Sequence, residues 1–285
     1  MHFTIRMHFL SIYSIPNSTR RHPKWIYHQA LTNELFRTSF YRMNLIKFTT
    51  PLSMKPDAEK KRFIAMTLQD GIHKGVLRNR AVQPATVGVL KRIPATALFV
   101  QYRLASHPAC TFPAAVQDAV TAYNHLLDMS IPASNIVISG DSAGGNVAIA
   151  LLRYLSTADN NNNLPIPSTA PFWSPSVDLD SQCDPHNIDL HRNNKTDCIT
   201  GFTLVCGVNA YTSKPIKSTD PSFWPLRNPF MTPSPLWIMA GGAEVLTDTI
   251  VGFAERMRGI EGNRVTLYEA PNAPHDILFV GHVLV

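Results

Sequence analysis

Short apolar runs alternate along this chain with stretches in which apolar residues recur every three or four positions. Those are the periods of strand and helix. Ala97 to Gln101 reads as a buried strand, and Pro113 then opens a helix carrying Ala114, Val116, Ala119, Val120, Tyr123 and Leu127. Asn135 to Ser139 forms the next strand, and Ala143 to Leu155 the next helix, with Val147, Ala148, Leu151 and Leu155 on its inner side. Leu236 to Ala240, ended by Gly241-Gly242, then Ile250 to Met257 and Val265 to Tyr268, repeat the order strand, helix, strand. Strands alternating with helices predict an α/β fold with a mostly parallel, doubly wound sheet and flanking helices.

Other segments read differently. Asp159 to Asn163 is a polar loop, and the Pro/Ser/Asp-rich region to about Thr200 suggests long surface connections. Near the N-terminus, Trp25 to Ile46 has the spacing of an amphipathic helix. Tyr27, Leu31 and Leu35 stack on one side with Phe36, Phe40 and Met43 beside them, while Arg37, Arg42 and Asn44 point elsewhere. Such a helix packs on its own domain, caps an active-site mouth, or rests on a membrane surface. The reading taken is a basic, amphipathic cap segment over residues 1–60, followed by one catalytic domain over 61–285.

Composition narrows the class. With 285 residues, 45% apolar and 16% charged, the chain is neither disordered nor a coiled coil. It carries no run of about 18 apolar residues for a spanning helix. Its four cysteines, Cys110, Cys183, Cys198 and Cys206, include no C-x-x-C pair, so zinc-ribbon and thioredoxin-type sites are excluded and no metal site is expected. Charge is uneven: up to Arg103 there are 17 Lys/Arg against 4 Asp/Glu, and beyond it 9 against 16. No basic helix, zinc-finger spacing or RNP pattern accompanies the excess, which reads as a basic surface segment over an acidic domain rather than a nucleic-acid site. Peripheral membrane contact through the N-terminal segment stays open. Phe9 to Ile15 is too short an apolar stretch for a secretory signal, and the sequons at Asn17 and Asn194 matter only in an exported chain. A cytoplasmic location is expected.

The chemistry enters with Gly140-Asp141-Ser142-Ala143-Gly144, which fits G-x-S-x-G. Its placement between a strand and a helix is what a nucleophile elbow requires. A serine on so tight a turn adopts a strained backbone, and side chains two residues to either side would collide with the neighbouring strand and helix. Glycine at 140 and 144 removes the collision, and Gly145 lets the helix approach more closely.

A serine hydroxyl is a weak nucleophile. It needs a base, and the base needs an orienting carboxylate. Glu244 lies 102 residues beyond Ser142, just after the Leu236–Ala240 strand, and His275 lies 31 residues further, after the Val265–Tyr268 strand. Both would then face the same sheet edge as Ser142. Asp248, one helical turn beyond Glu244, is the main rival carboxylate; Asp178 and Asp276 are weaker ones. His282 and His107 read as structural.

Tyr102-Arg103-Leu104-Ala105, Phe112-Pro113-Ala114-Ala115-Val116-Gln117-Asp118 and Gly140-Asp141-Ser142-Ala143-Gly144-Gly145-Asn146 together resemble the hormone-sensitive-lipase branch of the α/β-hydrolases, a group of carboxylesterases and lipases. Asp220-Pro221, Pro225-Leu226 and Ala273-Pro274-His275 extend the likeness from about Ala97 to the C-terminus. The resemblance implies an α/β-hydrolase fold with Ser142 as nucleophile, His275 as base and Glu244 at the acidic position, where many members carry Asp. The chain departs from the family in one important place. The family's His-Gly-Gly-Gly motif supplies most of the oxyanion hole, and here the corresponding region reads Gly71-Ile72-His73-Lys74-Gly75-Val76-Leu77. The chain also ends 10 residues after His275, where the family usually continues into a helix. Both gaps fit a truncated or misassembled coding sequence.

The function expected is a serine carboxylic-ester hydrolase acting through an acyl-enzyme on a small hydrophobic ester, without cofactor. One oxyanion donor is the Ala143 N–H. Losing a single such donor costs about 10²–10³ in rate, so a catalytically impaired pseudo-hydrolase or ligand-binding protein on the same fold is the alternative.

Overall fold

Among the described residues, six parallel strands carry the site, in the order β2-β1-β3-β4-β5-β6. They are β1 (Thr67–Leu68), β2 (Phe99–Val100), β3 (Ser139–Asp141), β4 (Ala170–Trp173), β5 (Leu236–Gly241) and β6 (Val265–Ala270). The structure is a computed structural model that describes residues 16, 18, 20–45, 67–68, 95–105, 110–157, 163–212 and 220–276. Its α-helices are α1 (Tyr27–Leu45), α2 (Ala114–Asp128), α3 (Ser142–Ser156), α4 (Pro185–Asp189), α5 (Gly201–Thr212) and α6 (Thr247–Arg258). From β1 the chain steps to β2 on one side and later returns to β3 on the other. This reversal of order is where open α/β sheets bind ligands, beyond the carboxyl ends of the strands.

Burial explains the strand sequences. β5 pairs with β4 and β6 along its length, from Leu236↔Val265 to Gly241↔Ala270. Its residues Leu236, Ile238, Met239 and Ala240 are buried, giving the continuous apolar run of a parallel strand covered on both faces. Helices α2 and α3 pack on one another, and α6 packs on β5 and β6. Tyr123, Ile138, Leu151, Leu152, Phe172, Ile238 and Phe253 are sealed from solvent. The buried Tyr123 hydroxyl donates to the Pro165 carbonyl at 2.6 Å.

The region read as surface connections is corrected here. It contains β4, at the centre of the sheet between β3 and β5, with Phe172 1% exposed. Pro171 obscures it, because proline cannot donate to a ladder and argues against a central strand. The register removes the conflict: β4 pairs with β3 only from Gly140↔Phe172 onward, one residue past the proline. The strand expected at Asn135–Ser139 is also displaced. Ala133–Asn135 is a 3₁₀ turn, Val137 makes only an isolated bridge to Thr169, and β3 begins at Ser139.

Over its described side chains, helix α1 buries polar as well as apolar positions. Among its described side chains Ala30, Asn33 and Thr38 are buried, and Arg37 reaches inward to the carbonyls of Asn194 and Asp197. Tyr27, Leu31 and Leu35 are only partly covered. Phe36 does pack against the main core. No described helix is long and apolar enough to cross a membrane.

The position of β4 yields a stability test. Phe172→Ala should destabilise by about 3–5 kcal/mol in urea unfolding, the usual cost of emptying an aromatic core site. An exposed connection would lose less than about 0.5 kcal/mol.

Candidate active site

Ser142 stands where β3 turns into α3, with φ of 50°. A non-glycine residue held at positive φ stores strain that the surrounding structure must sustain. The close approaches that sustain it are visible at two glycines. A Cβ on Gly140 would lie 2.5 Å from the Gly144 carbonyl oxygen, and one on Gly145 would lie 2.8 Å from the Pro175 side chain. The helix therefore starts directly against the strand end, and the Ser142 carbonyl accepts the Ser176 N–H at 2.9 Å. Asp141 and Gly144 are buried beside it. Ala143 is exposed, and it lies in the first turn of α3, where amides have no partner within the helix.

Two further loops meet this turn. After β5, Glu244 is completely buried. Its Oε1 accepts the Gly241 N–H at 2.5 Å and the Ser174 hydroxyl at 3.2 Å. Gly241 must be glycine, since a Cβ there would sit 2.5 Å from the Ala273 carbonyl oxygen. The segment leading to His275 thus crosses hard against the end of β5. His275 Nδ1 lies 2.7 Å from Glu244 Oε2, and its Nε2 lies 2.7 Å from Ser142 Oγ. A carboxylate only accepts, so Nδ1 carries the ring proton and Nε2 is left to accept from the serine hydroxyl.

Electrostatics follow the geometry. Burial pushes the Glu244 carboxyl up from its ordinary range, against the opposing hydrogen bond and charge of His275. Burial also opposes a charge on His275, but the hydrogen bond and charge of Glu244, with the charges of Asp197 and Asp276, raise it above the ordinary imidazole value. Glu244 therefore makes His275 a stronger base.

The rival carboxylate goes elsewhere. Asp248 binds Arg192 through two contacts of 2.5 Å and His191 at 3.2 Å, and Arg192 holds its carboxyl below the usual value. Asp276 follows His275 and donates its backbone N–H to Ser174 at 3.1 Å, while the imidazole turns to Glu244. His107, His282 and the Gly71–Leu77 region lie outside the described residues. Among the described residues, no group of three or more His, Cys, Asp or Glu could hold a metal ion.

Sequence reasoning missed the residues that hold these loops. Ser174, at the end of β4, joins Glu244 to Asp276. Asn193 donates to the carbonyls of Gly242 and Glu244, and Thr196 to that of Ala243. The buried Asp197 completes this bracket. Recognising Phe172-Trp173 as a strand end would have brought Ser174 to the same edge; the others bind main chain and leave no side-chain pattern.

Residues 81–279 match the family described as alpha/beta hydrolase fold, and the chain belongs to that family. An acetyl-hydrolase from Streptomyces hygroscopicus is 31% identical over 189 residues, covering 64% of this chain and 57% of that one. An esterase from Acinetobacter venetianus is 30% identical over 161 residues, 56% of this chain and 50% of that one. The chain thus spans about half the length of these relatives. A solved hormone-sensitive lipase from a metagenome library is 27% identical, with a TM-score of 0.60 and coverage of 76% of this chain and 72% of that one.

The two carboxylates are separable by experiment. Fluorophosphonate labelling of Ser142 should slow roughly 10³–10⁴-fold in Glu244→Gln, as when a triad carboxylate is neutralised. In Asp248→Asn the labelling rate should stay close to that of the parent protein.

Proposed function

We propose that this chain is a serine hydrolase of small carboxylic esters. The observation that carries the reading is the unbroken contact from Glu244 through His275 to Ser142, two hydrogen bonds of 2.7 Å each. Ser142 Oγ attacks the ester carbonyl while His275 Nε2 takes its proton, and Glu244 holds the resulting imidazolium. The carbonyl oxygen becomes an oxyanion, for which the Ala143 N–H at the start of α3 is one donor. His275 then protonates the departing alcohol, leaving Ser142 acylated. Water attacks the acyl group, His275 accepts its proton, and return of that proton to Ser142 releases the acid.

The names of the relatives, acetyl-hydrolase and esterase, support an acyl group as small as acetyl. They do not favour the non-catalytic reading. Residues 1–60 enter the proposal through α1, whose Asn33 and Arg37 dock on the 194–197 loop beside Glu244; this supports a covering segment over the site.

Hydrolysis of p-nitrophenyl acetate should fall about 10⁴–10⁶-fold in kcat for Ser142→Ala, the scale of losing a triad nucleophile. Equal rates for the two proteins would contradict the assignment. The pH dependence has a defined sign. His275 must be neutral to accept the serine proton, and its affinity for protons is raised. Activity should therefore be lost, as pH falls, at a value above the ordinary imidazole range. In Glu244→Gln the largest raising influence is gone while burial and the charges of Asp197 and Asp276 remain, so the limb of kcat/KM should move to lower pH.

A further inference from the structure

Asp197 is a carboxylate with no solvent exposure, and among the described contacts four main-chain amides hold its two carboxylate oxygens. Oδ1 accepts the N–H of Cys198 at 2.6 Å, of Ile199 at 3.4 Å and of His275 at 3.1 Å. Oδ2 accepts the N–H of Val245 at 2.6 Å. One acceptor group thus grips the amide of the proposed base and the amide immediately after the proposed acid. These two residues belong to loops leaving different strands, and no covalent constraint sets their separation.

The loop bearing Asp197 is itself anchored on both sides. Towards the acid loop, Asn193 and Thr196 bind the carbonyls of Gly242, Ala243 and Glu244. Behind it, α1 donates from Asn33 to the Thr196 carbonyl at 2.9 Å, and from Arg37 to the carbonyls of Asn194 and Asp197 at 2.7 and 2.6 Å. Trp25 Nε1 donates to the Asn272 carbonyl at 2.6 Å, in the approach to His275, and Trp25 forms a small buried cluster with Ala30 and Ala243. Among the described residues, Arg37 lies behind the loop with Arg21 and Glu34 near it, and Glu244 and Asp276 lie beside His275.

We propose that Asp197 is a positioning residue that sets the separation of Glu244 and His275, with α1 as the brace behind it. This rests on the triad reading above. Buried amides need acceptors, and a charged acceptor serving several of them forms strong, directional bonds. A displacement of about 1 Å among catalytic groups can cost 10²-fold in rate. Asparagine keeps the shape of Asp197, but its NH₂ would face one set of donors with another donor. Glutamate keeps the charge and both acceptors but shifts them by a methylene, so its effect is one of position and not of charge.

The test uses the full chain carrying Asp197→Asn or Asp197→Glu, with folding checked by circular dichroism. Steady-state hydrolysis of p-nitrophenyl acetate should show kcat lowered roughly 10–100-fold with KM little changed. In the resting protein, the low-field proton resonance of the His275 Nδ1–H···Glu244 bond should move upfield or vanish in both variants. That resonance is read without substrate. Should the parent chain lack Ser142-dependent hydrolysis, the esterase reading fails, and the resonance still decides the role of Asp197. A parent-like resonance in either folded variant overturns the proposal, as does an unchanged kcat where the parent is active. Failure of both variants to fold would make Asp197 a stability element only and overturns it as well.

Discussion

The hydrogen bond between His275 Nδ1 and the carboxylate of Glu244 is the interaction on which the rest of the site depends. Glu244 has no exposure to solvent, and a buried carboxylate is costly unless it is bonded on all sides. The chain meets that requirement with the Gly241 amide, the Ser174 hydroxyl and the His275 ring. The last of these bonds has a chemical consequence. It places the ring proton on Nδ1 and leaves Nε2 as a base against Ser142. Without Glu244 the imidazole would be free to choose its tautomer.

Three strand ends must converge for this contact to exist. β3 delivers Ser142, β5 delivers Glu244 and β6 leads to His275, all at one edge of a parallel sheet. The tight approaches at Gly140, Gly145 and Gly241 bring the segments within reach. The fourth contributor is β4, whose end carries Ser174 and Pro175 into the same space. The arrangement of strands brings these ends together, and the chemistry is added by the side chains they carry.

How much of this is legible in the sequence depends on which atoms do the work. The convergence of Ser142, Glu244 and His275 is legible, because each follows an apolar run and strands in such a sheet end at one edge. The Gly-Asp-Ser-Ala-Gly-Gly run announces the turn itself, since only small residues permit the approaches seen at Gly140 and Gly145. The central strand β4 is not legible: Pro171 and the surrounding serines and prolines imitate a surface loop, and only the register shows how the proline is tolerated. The buried face of α1 is misread for a related reason. Asn33 and Arg37 look like solvent-facing residues, yet they satisfy main-chain carbonyls of a buried loop. Asp197 is invisible to pattern reading, because its carboxylate is held chiefly by backbone amides.

The central claim is that Ser142 Oγ becomes the acyl acceptor. Mass spectrometry of the protein quenched in acid during turnover of p-nitrophenyl acetate tests it most directly. The account predicts one acetyl group, carried on the peptide containing Ser142. Acetyl found only on other side chains, with the Ser142 peptide unmodified throughout turnover, would contradict it.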